Sequence, residues 1–158
     1  MPVDELQDYR WRGARALVLL HDRALRELIT VWKAARAKEI RLPQTSNPAY
    51  VSLVSLMQHV LGSAREYMTW LCGKLGLPDP GIDPAPEAVA LEQSLDRYVE
   101  HLLERWRVPL ADVEDSRFFV SHKTEDGELT CLVMLEHAAM HPMRHQFQLE
   151  ELMEPGAR

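Results

Sequence analysis

The chain has 158 residues, 46% apolar and 27% charged, with 24 acidic against 18 basic groups and a formal net charge of −6. That length suits one domain and allows roughly 70% of the unfolded chain's surface to be buried, so folding requires neither a disulfide nor a metal staple. The acidic balance argues against a nucleic-acid binder, which needs basic groups to neutralise phosphates, and no apolar run approaches the length of a membrane span.

The first helix is expected from about Asp4, or from Gly13 if it starts late, to about Lys38. Leu17, His21, Leu25, Leu28 and Trp32 recur at spacings of four and three and form one stripe. Arg10, Arg12, Arg15, Arg23 and Arg26 read as its solvated face. Pro43 and Pro48 then exclude a continuous helix. A second helix is expected from about Ala49 to Leu75, with Leu53, Met57, Val60, Leu61, Ala64, Met68 and Leu71 on its apolar face. Gly76, Pro78, Pro80, Gly81, Pro84 and Pro86 end it and make a stiff crossing.

The third helix is expected from about Pro86 to Trp106, because proline is tolerated in a first turn and Glu87 suits the positive helix end. Residues 108–129 are the least helical stretch. Phe118-Phe119-Val120 looks extended, and Asp126-Gly127 is a turn signal for a small hairpin. A fourth helix runs from about Thr130, as N-cap, to Met153, with Gly156 just past its end. Four long helices without a convincing sheet make an all-α bundle in one domain, residues 1–158. Cys72 and Cys131 form no paired motif, so both read as buried thiols of a reducing compartment. With no leader signature visible, a cytoplasmic location is expected.

The informative segment is Leu135 to Gln148, where His137, His141 and His145 recur every four residues. Residues four apart stack on one helix face, and two imidazoles so placed can share one ion. His137 and His145 are two turns apart, about 12 Å of rise, so at most two adjacent histidines bind together. A single such pair is weak evidence in a chain with seven histidines, whereas three at regular spacing is much rarer. Ala138 follows His137 and Pro142 follows His141, so the glutamate of a zincin peptidase is missing. Pro142 predicts a kink or a helix start near His141. A third ligand must come from another helix. His59 is the candidate, with Gly62 and Ser63 leaving room beside it. His21, on the apolar stripe of the first helix, reads as a hydrogen-bonded core histidine, with orienting a ligand from behind as the alternative.

Leu56-Met57-Gln58-His59, Met140-His141-Pro142-Met143-Arg144-His145-Gln146-Phe147-Gln148 and the turn Asp126-Gly127-Glu128 together resemble the DinB/YfiT-like four-helix-bundle superfamily. The similarity runs over essentially the whole chain but its strong motif is short. It departs at Pro142 and at Gln146-Phe147, where arginine and glycine are common. The resemblance implies His59, His141 and His145 as ligands of a divalent ion (Zn, Ni or Fe), with His137 at the rim and Gln148 and Ser63 beside the site. It also implies a homodimer, and a metal-dependent S-transferase or hydrolase that uses a low-molecular-weight thiol or water against a small-molecule substrate in a detoxification or stress setting. A metal-dependent ligand-binding protein without turnover and a dimeric interaction module are the alternatives.

Overall fold

The computed structural model describes residues 6 and 8–157. Among them the chain is mostly helical. Four long helices and one short helix share a core with a two-stranded hairpin at its margin. Among the described residues, no helix is long and apolar enough to cross a membrane.

Helix α1 spans Arg12–Ala37. Asp4 lies outside the described residues, but Asp8 to Trp11 are not helical, which settles the choice for the late start. Its buried positions include Ala14, Val18, His21, Leu25, Leu28, Trp32 and Ala35, a strict alternation of four and three. That stripe packs chiefly on the last helix. Trp32 also donates its indole N–H to the Leu53 carbonyl at 2.7 Å, tying α1 to the start of the next helix.

A 3₁₀ turn, Pro48–Tyr50, leads into α2, Leu53–Lys74. Ser52 and Ser55 cap α2 reciprocally, each side chain accepting the other's backbone N–H. At its far end Gly76 adopts φ 66°, a left-handed conformation natural to glycine, and Leu77 N–H closes back on the Cys72 carbonyl. Residues 76–90 are then laced to the flanking helices. Arg65 Nε donates to the Ile82 carbonyl at 2.8 Å, Gln58 to that of Pro86 at 3.2 Å, and Tyr98 to that of Asp83 at 2.8 Å.

Helix α3 spans Leu91–Arg107 after a 3₁₀ turn at Ala88–Ala90, a later start than Pro86. The carbonyl of Pro86 is taken by Gln58, and Glu87 is still extended, so the helix cannot begin there. Trp106 anchors α3 to α2 by donating to the Ala64 carbonyl at 3.0 Å.

The reading of Phe118 to Val120 as extended is corrected. Phe118 closes the short helix α4, Asp115–Phe118, and buries its ring 4.7 Å from that of Trp11. Apolar burial under Trp11, rather than β-propensity, decides its conformation. The hairpin follows, with β1 Ser121–Thr124 antiparallel to β2 Gly127–Thr130, turning at Glu125-Asp126. Thr130 caps the last helix, α5, Cys131–Met153, through Val133 N–H. Helix α5 packs on both α1 and α2 and runs unbroken through Pro142, so no helix start falls at His141. Both cysteines are buried and free.

His21 is fully buried against Trp106, the rings stacked with centroids 3.7 Å apart, and its Nδ1 finds no hydrogen-bond partner. Burial pushes its pKa down to about 3 against a small opposing pull from Asp22. Below pH 6.5 the unfolded chain takes up a proton here that the folded chain refuses, so His21 costs stability progressively as pH falls towards 3. His21→Phe, which keeps the stack, is therefore expected to flatten the fall of Tm between pH 6.5 and 4.5 relative to the parent. Superimposable Tm–pH profiles would refute this assignment.

Candidate metal centre

The α2–α5 interface brings three imidazoles to one point. His59 comes from the middle of α2; His141 and His145 come from successive turns of α5. His59 Nε2 lies 3.1 Å from His141 Nε2, and His145 Nε2 lies 3.2 Å from the same atom. One ligand atom from each of the three falls within 4.8 Å of the others. His141 and His145 are buried and His59 is half-buried.

Protons alone do not explain this convergence. His145 Nδ1 sits 2.9 Å from the Gln148 amide oxygen, which only accepts, so the ring carries its proton on Nδ1 and leaves Nε2 a bare lone pair. His141 Nε2 faces this nitrogen and His59 Nε2 at once. A neutral imidazole nitrogen has either one hydrogen to give or one lone pair to share, so it satisfies only one of the two contacts. A cation satisfies all three. Tetrahedral zinc with bonds of about 2.0–2.1 Å separates its ligand nitrogens by about 3.3–3.4 Å, close to the two separations at His141, while the third pair, His59 and His145, lies within 4.8 Å. The three histidines thus form a group that can hold a metal ion.

The electrostatics keep these rings neutral, as metal ligands must be. Burial pushes His141 down to about 3, reinforced by His145, His59 and Arg144. It pushes His145 down to about 4, against the hydrogen bond to Gln148, and lowers His59 as well. Glu66, two turns along α2 from His59, is exposed to solvent.

Pro142, beside His141, is buried and has no N–H to return to the Ala138 carbonyl. The remaining residues singled out in the sequence are distributed around this centre. Gln148 orients His145. Ser63, one turn beyond His59, neighbours Tyr67 on the same face of α2, and burial raises the pKa of the Tyr67 phenol. Tyr67 in turn lies 3.2 Å from Nε2 of the exposed His137, and its ring stands edge-on to His141 at 5.7 Å. His137 therefore sits at the rim. His21 is elsewhere: its ring partner is Trp106, and no hydrogen bond or ring contact joins it to the three histidines. Two aromatic neighbours escaped the sequence reading. The first, Tyr67, completes the series His59, Ser63, Tyr67 every four residues on α2, a signal legible in retrospect. The second, Tyr50, reaches within 5.9 Å of His145 from an irregular segment, with no periodicity to reveal it.

No protein-family model, curated protein or solved structure matches the chain.

Removing an outer partner of a metal-binding histidine typically costs 10–100-fold in metal affinity. Gln148→Ala is accordingly expected to weaken zinc binding by about tenfold or more, measured by competition with a chromophoric chelator. Unchanged affinity would mean that Gln148 does not set the His145 tautomer.

Proposed function

We propose that the chain is a four-helix bundle of the DinB/YfiT-like kind and a metal-dependent enzyme acting on a small molecule. In this reading His59, His141 and His145 hold one divalent ion. The observation that carries the reading is the meeting of three neutral imidazole nitrogens, at 3.1 and 3.2 Å from a common member, with no arrangement of protons that satisfies them. When bound, such an ion supplies a Lewis acid that makes a thiol or water nucleophilic at neutral pH. Three protein ligands leave coordination positions free for that partner, as catalytic rather than structural sites do.

The chain's own residues divide the remaining work. Gln148 holds the His145 ring in one tautomer. Tyr67, next to Ser63 and reaching His137, places a phenolic O–H at the edge of the centre, where it can donate a hydrogen bond to a bound substrate. His137 connects that phenol to solvent. Thiol transfer and hydrolysis both fit this set, because neither needs an acidic ligand. An S-transferase using a low-molecular-weight thiol is the reading favoured by the resemblance in sequence.

A second reading, a dimeric binding protein, draws on exposed Val133, Met140 and Phe147, seven residues apart on α5. Because the resemblance implies a homodimer for the enzyme too, sedimentation of the parent and of Met140→Glu/Phe147→Glu tests the face itself: a monomeric parent, or a dimer that persists in the variant, rejects the second reading, and metal-dependent turnover in a dimer disrupted by the variant rejects its being a binding protein only.

Elemental analysis of the purified, untagged protein tests the centre directly. About one ion per chain is expected in the parent and none in His141→Ala/His145→Ala of unchanged helicity. An absence of metal from the parent after loading, with the fold intact, would overturn the proposal.

A further inference from the structure

The metal centre opens to solvent on one side. His141 and His145 are buried but His59 is half-buried, and a Cβ built on Gly62, one turn further along α2, meets nothing within 4 Å. On α5, the residue one turn beyond His141 and next to His145 is the exposed Arg144. Residues three apart on a helix stand about 5–6 Å from each other at Cβ, and helical side chains lean towards the N-terminus. The long Arg144 chain therefore lies over the turn that carries His141. Burial is the main reason the three rings resist protons, but the Arg144 charge adds to it at His59, His141 and His145, and it acts on the Tyr67 phenol as well. These groups belong to both helices, so the guanidinium stands beside the centre as a whole. Among the described residues, no carboxylate comes within ion-pairing distance of it. The carboxylate that acts on His59 and Tyr67 is that of Glu66, which projects from α2.

We infer that Arg144 is a specificity-determining residue of the metal centre and that the molecule used there carries an anionic group, a carboxylate, which Arg144 takes. The inference rests on the metal-centre reading and adds the charge of the molecule to it. Two arguments support it. A guanidinium beside a site for a divalent cation repels that cation just as it repels a proton, and three neutral imidazoles bring no negative charge to offset the cost. An anion held between the two removes the repulsion. Second, the planar guanidinium presents paired N–H donors that match a carboxylate, and no side chain from the described residues already occupies them. Glu66 repels an anion from the α2 side and so directs it towards α5.

The test titrates Co²⁺-loaded protein with 3-mercaptopropionate and with its methyl ester, which has the same chain and no charge, following the visible absorption of the ion. Arg144→Met is expected to weaken binding of the acid by about tenfold and to leave that of the ester unchanged. Arg144→Lys, which keeps the charge but not the fork, is expected to recover part of the loss. Arg144→Met without any thiol is expected to bind Co²⁺ at least as tightly as the parent, since a repelling charge is gone. Arg144 is exposed, so both variants are expected to keep the parent's helicity, and Arg144→Lys alone still tests the inference if Arg144→Met does not. Acid affinity unchanged in the folded variants, acid and ester weakened equally, or Co²⁺ indifferent to both thiols overturns the inference and leaves the metal centre standing. Failure of the parent to bind Co²⁺ at all removes the metal-centre reading and the inference with it.

Discussion

Three imidazole rings that face one another in a poorly solvated space impose a constraint on everything around them. Each must stay neutral, because no carboxylate from the described residues lies among them to balance a charge. A neutral ring offers one donor and one acceptor. Nitrogens converging on His141 Nε2 therefore leave lone pairs in opposition unless something positive lies between them. The α2–α5 packing, the Gln148 contact and the depressed affinity of these rings for protons are all consistent with that single requirement.

The framework that meets it is rigid where it matters. Helix α5 is clamped along α1 by the alternating stripe from Ala14 to Ala35, and α2 is held by the indole groups of Trp32 and Trp106, which reach its backbone from α1 and α3. The stiff connection from Gly76 to Ala90 is pinned by side chains of α2 and α3. These contacts fix the register of α2 against α5. A shift of one residue would carry His59 about 100° around its helix and away from the other two. Pro142 sits at the most exacting point of this arrangement. The missing bond leaves the carbonyl of the buried Ala138 without its usual i+4 donor, a cost that the packing of the rest of the helix has to offset.

Around the three rings the environment is asymmetric. One side carries polar groups in sequence from the interior to solvent: Ser63, Tyr67, then His137. The other side, beyond Gln148, is apolar and open.

Much of this was legible in the sequence, and for definite reasons. Periods of three and four located the long helices, since each buries a single stripe. The proline and glycine clusters marked their ends, and Thr130 and Asp126-Gly127 marked the cap and the hairpin, because those signals are local. The spacing of His137, His141 and His145 announced a chemically special helix face, yet it left open which adjacent pair would act together. Resemblance to a known motif pointed to His141 and His145, and the fold places those two against His59. What the sequence could not convey was relative position across elements: that Tyr50 and Tyr67 stand beside these rings, that His21 stacks on Trp106 instead, and that Phe118 folds into a helical turn under Trp11. Local propensity and periodicity act over a few residues, whereas these neighbours are separated by tens of residues and are chosen only when the helices pack.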